Sequence, residues 1–293
     1  MESLLKTILI KFFTLFSIIS PSLTAKIAWP FFCKPRIQKK PLSKTESKLI
    51  QQAKQYYVDS ENYKIAVYEW GNSDHSDPKK TILFTHGWGG HALNFSFIIA
   101  KLVKGGFNVV AFDSPAHGKS SGNITNLLHN TKALLSVCEH IPSVSVLVGH
   151  SFGAMANAYA LELTNSTTRF SNIDRLILIA GPNKLTDIFA SFTQAMGLSN
   201  GVLKIFHQKL EVIAKRNIES MSTVEFLRNY DGETLVIHDH NDRIVPFEEA
   251  EIIANEVISA TLFATTECGH FRILGAKSVI SKIFDFINKP NIN

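Results

Sequence analysis

Cysteine is scarce: three residues in 293, Cys33, Cys138 and Cys268. An odd number without metal-type spacing argues against a disulfide framework and for a reducing compartment. Charge is scarce as well. Asp, Glu, Lys and Arg make up 19% of the chain against 45% hydrophobic residues, a globular composition rather than a disordered one. No internal repeat or low-complexity tract is visible, so the chain reads as a domain rather than an array. The net charge of +5 is misleading, because residues 1–44 hold eight Lys/Arg and one acid, and the rest is slightly negative. A nearly neutral body offers no nucleic-acid surface. Long apolar runs are also missing. Residues 4–20 come closest, but Lys6 and Lys11 break them. Seventeen helical residues would reach only about 25 Å, short of a hydrocarbon core of roughly 30 Å.

What stands at the N-terminus is therefore an apolar stretch, Pro21, a second apolar patch at Ala28–Phe32, and a basic strip of Lys34, Arg36, Lys39, Lys40 and Lys44. A cleaved secretory signal fits poorly, because Lys11 interrupts the apolar region and Leu23 sits badly before a cut after Ala25. A helix packed on the body is a second reading. The preferred one is an interfacial helix or short anchor, with the basic strip drawn to anionic headgroups and the body kept cytoplasmic at the inner membrane. The chain divides accordingly into a leader, 1–45, and a domain, 46–293. A chain starting near Glu46 is expected to be soluble and active.

Within the domain, Glu46–Tyr57 reads as a helix and Tyr63–Trp70 alternates like a strand. Thr81–Thr85, Phe107–Phe112, Val144–His150, Arg175–Ala180, Thr234–His238 and Ala260–Thr265 read as further strands, with helices between them. Strands alternating with helices across short loops predict a mostly parallel sheet covered on both faces. Residues 183–230 break the rhythm with two helix-like segments. Phe189, Phe192, Met196 and Phe206 would line the inner face of a small helical cap there.

The chemistry centres on Val144–Gly153, an apolar β-branched run ending in Gly149-His150-Ser151-Phe152-Gly153 and followed at once by a helix-like segment. A strand–turn–helix with serine at its apex holds that serine in a strained conformation, so tiny residues must flank it. A serine hydroxyl needs a base, and the base needs a group to fix its tautomer. Both follow at later strand ends: Asp239-His240-Asn241-Asp242-Arg243-Ile244-Val245-Pro246, then Glu267-Cys268-Gly269-His270. Asp242 and Asp239 both compete for the role of acid.

The chain resembles the α/β-hydrolase superfamily over about residues 62–288. The matching pieces are His86-Gly87-Trp88, Asp113-Ser114-Pro115-Ala116-His117-Gly118-Lys119-Ser120, the Ser151 turn, Asp242-Arg243-Ile244-Val245-Pro246 and Gly269-His270. More narrowly, it is similar to uncharacterised bacterial hydrolases with a hydrophobic, basic N-terminal leader. Ala116 departs from the glycine usual at its position. The resemblance implies Ser151 as nucleophile, His270 as base and Asp242 as the acid opening Asp-x-x-Val-Pro. It implies the N–H groups of Trp88 and Phe152 as oxyanion hole, no metal or cofactor, and a structural role for Asp113. The expected activity is carboxylesterase action on apolar, medium-chain acyl esters, through an acyl-enzyme. Thioesterase, acyltransferase or peptidase activity on the same triad is the alternative, as is a ligand-binding protein that turns nothing over.

Overall fold

The computed structural model describes residues 11, 13–36, 41–71, 81–141, 143–164 and 172–290. Eight strands form one sheet: β1 (Lys54–Ser60), β2 (Tyr63–Trp70), β3 (Thr81–Thr85), β4 (Asn108–Phe112), β5 (Val146–His150), β6 (Arg175–Ile179), β7 (Glu233–Asp239) and β8 (Ala260–Thr265). Their spatial order is β1-β2-β4-β3-β5-β6-β7-β8. The pairs β1–β2 and β2–β4 are antiparallel, and every later pair is parallel. The expected mostly parallel sheet is present.

Because successive residues of a strand point to opposite faces, each central strand feeds two cores. Ile82 and Phe84 join one core, with α3 (Ser96–Lys104) and a C-terminal helix, Lys277–Asn288. Leu83 joins the other, with α4 (Leu127–His140) and α5 (Phe152–Thr164). Parallel strands buried on both faces read as near-continuous apolar runs, and β3, β4 and β5 are buried at every position.

One expected element is misplaced. The helix beginning after Ser43 is α2, Lys44–Gln52, and it stops five residues before Tyr57. Ser43 starts it as a capping box with Glu46. Tyr56, Tyr57 and Val58 belong to β1, where Val58 lies opposite Ile65 and is buried. Aromatic and β-branched residues prefer that half-buried ribbon to a helix exposed on one side.

Between β6 and β7 the chain inserts α6 (Leu185–Ala195), α7 (Asn200–Ala214) and a single turn, α8 (Thr223–Phe226). Its neck is closed by backbone bonds from Leu185 N–H to Met221 O (3.1 Å) and from Thr223 N–H to Asn183 O (2.7 Å). Residues 13–19 are helical and, after a break at Ser20, α1 (Pro21–Cys33) follows. Both pack on this insertion. Trp29 meets Phe206 edge-on at 5.2 Å and stacks on Phe189 at 6.0 Å, and Phe32 lies 4.6 Å from Phe189. The Ser199 amide donates to Ser17 Oγ (2.9 Å), and Ser199 Oγ donates to Ser17 O (2.7 Å). Among the described residues no helix is long and apolar enough to cross a membrane. Residues 1–10 and 37–40 of the leader, with Lys6, Lys39 and Lys40, lie outside the described residues.

Candidate active site

Each residue singled out in the sequence sits at the C-terminal end of a parallel strand, where an open α/β sheet leaves a crevice. Trp88 follows β3, Ser151 follows β5, Asp242 follows β7, and His270 lies in the short helix Gly269–Arg272 after β8.

Ser151 has φ +53°, a left-handed conformation that costs a non-glycine residue energy and persists only where its surroundings enforce it. Those surroundings are visible. The Ser151 amide donates to Ile179 O (2.8 Å) and its carbonyl accepts from Ala154 N–H (2.9 Å). A Cβ on Gly153 would lie 2.3 Å from Thr85 O, and one on Gly149 2.5 Å from Ala154 Cα. Both flanking glycines are therefore set by close backbone approach, as the turn requires.

The turn aims Ser151 Oγ at His270 Nε2, 3.0 Å away, while His270 Nδ1 lies 2.7 Å from Asp242 Oδ2. With Nδ1–H donated to the carboxylate, Nε2 is left to accept the serine proton. Asp242 is in turn fixed by the amides of Ile244 (2.8 Å) and Val245 (3.0 Å), both on Oδ1. Burial acts to raise its pKa, but hydrogen bonds from His238, His270 and these amides outweigh that and hold it well below the usual carboxylate range. The competing Asp239 points elsewhere. Its oxygens accept from Thr265 Oγ1 (2.7 Å), Cys268 N–H (2.9 Å) and Asn241 N–H (3.0 Å), binding the loop after β7 to the loop after β8.

The other histidines of the matched motifs, His86, His117 and His150, have structural partners. His86 Nδ1–H donates to Gly87 O (2.7 Å) and Nε2 accepts from Ser114 N–H (2.9 Å). His117 accepts from Gly89 N–H (3.0 Å). His150 donates to the carbonyl of His270 (2.8 Å), and burial, with His270 close by, lowers its pKa to about 3, so it stays neutral. Asp113 accepts from Tyr68 Oη and from the amides of Ala92 and Lys119, the turn-satisfying role expected of it. Ala116 has φ +64°, which explains why glycine is the easier residue there.

Ser151 opens into a cavity of about 550 Å³, within the range of small-molecule sites. Trp88 lines it, its ring edge-on to Phe152 at 5.3 Å. From the insertion come Phe192 and Met196, as the cap reading expected, whereas Phe189 and Phe206 are buried beneath Trp29 and Phe32. Phe31 and Phe32 of α1 complete the wall. Their signal in the sequence was the apolar patch Ala28–Phe32, which composition alone assigns to a membrane as readily as to a pocket. Four charged residues also line the cavity: Lys34, Arg36, Asp187 and Glu249. Three of these lie outside residues 183–230, where the sequence offers no charge cluster. Burial pushes the Glu249 carboxyl up, and Asp187 beside it adds to the shift.

The first N–H of a helix has no intrahelical acceptor, which leaves the Phe152 amide at the start of α5 available beside Ser151. An activatable hydroxyl, an oriented imidazole and an unused helix-terminal amide together suit attack on an acyl carbonyl.

Comparison with known proteins bears on the family and the fold. The Alpha/beta hydrolase family model matches residues 82–277. An uncharacterized hydrolase of Bacillus subtilis (strain 168), YugF, is 22% identical over 71% of this chain and 90% of its own length. An Arabidopsis thaliana chloroplastic protein provisionally named methylesterase 13 is 33% identical over 46% of this chain, a match spanning 28% of that protein. Among solved structures, a bacterial membrane phospholipase A superposes with a TM-score of 0.61 at 17% identity, covering 84% of this chain and 89% of that one.

Proposed function

Because the chain belongs to the α/β-hydrolase family, we propose that it is a serine hydrolase working through an acyl-enzyme, a carboxylesterase on apolar medium-chain acyl esters. The observation that carries this reading is the unbroken line from Ser151 Oγ through His270 to Asp242, at 3.0 and 2.7 Å, at the edge of a cavity with aromatic walls.

Ser151 Oγ forms a bond to the acyl carbon as its proton passes to His270 Nε2. The carbonyl oxygen becomes an oxyanion received by the Phe152 and Trp88 amides, with the positive end of α5 helping at Phe152. Collapse breaks the bond to the leaving alkoxide, which takes the proton from His270. Water then repeats the cycle on acyl-Ser151, releasing the acid and restoring the serine. Asp242 keeps His270 in the tautomer that makes Nε2 a base.

The test is Ser151→Ala. Turnover of an activated ester should fall at least about 10³-fold with the fold intact, and a fluorophosphonate label should attach to Ser151 only in the wild type. A variant keeping more than a tenth of the wild-type rate would end this reading. Stoichiometric labelling without any ester turnover would favour the ligand-binding alternative.

A further inference from the structure

The N-terminal helices have one face on the cap and another on solvent. Ser17, Thr24, Ala25, Ala28 and Cys33 are buried against the protein. Leu15, Ile18, Ile19, Leu23, Ile27 and Phe31, spaced by three or four residues where they do not adjoin, are between 39% and 72% exposed. A monomeric soluble protein rarely keeps so many large apolar side chains together on one solvent-facing helical face. Two features say what covers it. The first is charge: after Glu2 no acid occurs until Glu46, and Lys11, Lys26, Lys34 and Arg36 are exposed on this same segment. An apolar face whose own segment carries only cations complements an anionic bilayer and repels a second copy of itself. The second is the cavity. Phe31 belongs both to the exposed face and to the cavity wall, where it is joined by Lys34, Arg36 and Ile244, the last also 60% exposed. The mouth through which Ser151 is reached is therefore continuous with the apolar face.

We propose that the outer face of residues 15–31 docks on an anionic bilayer and that the cavity draws its acyl ester from lipid in that bilayer, the second half resting on the hydrolase reading above. The helices enter the interface in its plane rather than crossing it. Ser17, Trp29 and Phe32 tie them to α6 and α7, so docking fixes the cap and the mouth together. Lys34 and Arg36, cations of the cavity wall that also holds Asp187 and Glu249, are the groups a lipid phosphate would meet once its acyl chain lies against Phe192 and Met196.

Flotation of the full chain with vesicles of phosphatidylcholine, alone or mixed with phosphatidylglycerol, tests the docking. Wild-type protein should float with the mixed vesicles and bind pure phosphatidylcholine at least tenfold less, and salt should weaken binding without abolishing it. The variant Ile19→Glu/Leu23→Glu/Ile27→Glu changes only exposed residues away from the cavity. It should stop floating and lose at least tenfold in hydrolysis of vesicle phosphatidylglycerol, while turnover of soluble p-nitrophenyl butyrate stays within twofold. If the triple variant does not fold, single Ile27→Glu should weaken flotation with butyrate turnover retained. Wild-type protein that fails to float, or a variant that floats as well as wild type, overturns the docking. So does a wild-type dimer that the variant dissociates and that ignores vesicles, which would give the face to a second copy. Protein that floats and cleaves butyrate but leaves vesicle lipid intact overturns the lipid substrate. The hydrolase reading fails separately, if Ser151→Ala keeps its butyrate turnover, and flotation is unaffected by that outcome.

Discussion

His238 Nε2 lies 3.4 Å from Asp242 Oδ2, the same oxygen that faces His270 Nδ1 at 2.7 Å. His238 is fully buried at the end of β7, and its Nε2–H also donates to Val245 O (3.0 Å). One carboxylate oxygen is thus held from two sides, by the imidazole it orients and by another that orients it. A hydrogen bond to a charged group is worth about 1.5–3 kcal/mol. His238→Leu should therefore lower kcat by about tenfold or more and displace the acid limb of the pH–rate profile. His238→Gln, whose amide nitrogen reaches the position of Nε2, should restore most of the rate. Equal loss in both variants would mean that His238 only fills space.

Asp239, the last residue of β7, and Asp242, in the loop that follows, should separate by function and by pH. Asp242→Asn should cost orders of magnitude in kcat through the wrong His270 tautomer. Asp239→Asn should cost less than about tenfold in kcat, but replacing one acceptor oxygen by an amide nitrogen breaks one or two of its three hydrogen bonds and should lower the melting temperature. Because the Asp242 carboxyl is depressed in the folded state, its contribution to stability is complete above the ordinary carboxylate pKa near 4. That contribution is lost as pH falls through the lower folded value. The melting-temperature gap between wild type and Asp242→Asn should accordingly narrow below about pH 4, measured by thermal denaturation. A gap that widens in acid would place the depression in the unfolded state instead.

Much of this geometry was legible in the chain. The order Ser151, Asp242, His270, each just past an apolar strand, is a one-dimensional signal of a three-dimensional line, because parallel strands bring their C-terminal ends together. Local chemistry also settled the turn at Ser151, where the glycines at 149 and 153 answer contacts with Thr85 and Ala154. What was not legible depends on partners distant in sequence. Tyr56 and Tyr57 continue an apparent helix until β2 is known to lie beside them. The patch Ala28–Phe32 has the same composition whether it meets lipid or Phe189 and Phe206. Asp239 and Asp242 both stand at the end of one strand, and in the sequence only the Asp-x-x-Val-Pro pattern of the resemblance favours Asp242; the reach to His270 is visible in three dimensions alone.

Removal of residues 1–45 tests how far the leader belongs to the domain. The sequence suggests a soluble, active remainder, but the structure buries Phe189 and Phe206 fully, with Trp29 and Phe32 packed on them. Uncovering large apolar side chains costs about 1.5–3 kcal/mol each. A chain starting at Glu46 should therefore aggregate, or melt well below the full-length protein, and should lose activity on medium-chain esters. A truncated chain with an unchanged melting temperature and acyl-chain profile would show that α1 is dispensable to the pocket.

The last prediction concerns the length of acyl chain the cavity accepts. Phe31, Phe32, Trp88, Phe192 and Met196 give it mostly apolar walls, and its charges are on Lys34, Arg36, Asp187 and Glu249. Each methylene buried against such walls contributes about 0.8 kcal/mol, or roughly fourfold in kcat/KM, until the space is filled. From acetyl to about hexanoyl or octanoyl p-nitrophenyl esters, kcat/KM should rise at something near that rate, then flatten or fall. Phe192 is the side chain to test, because it is only partly buried and reaches the cavity from α6, while Phe189 and Phe206 hold the cap to α1. Phe192→Ala widens the cavity without touching Ser151, His270 or Asp242. It should flatten the slope with chain length and leave acetyl-ester turnover near the wild-type value. A slope unchanged in Phe192→Ala, or a steady preference for acetyl, would show that the acyl chain leaves Ser151 along another wall.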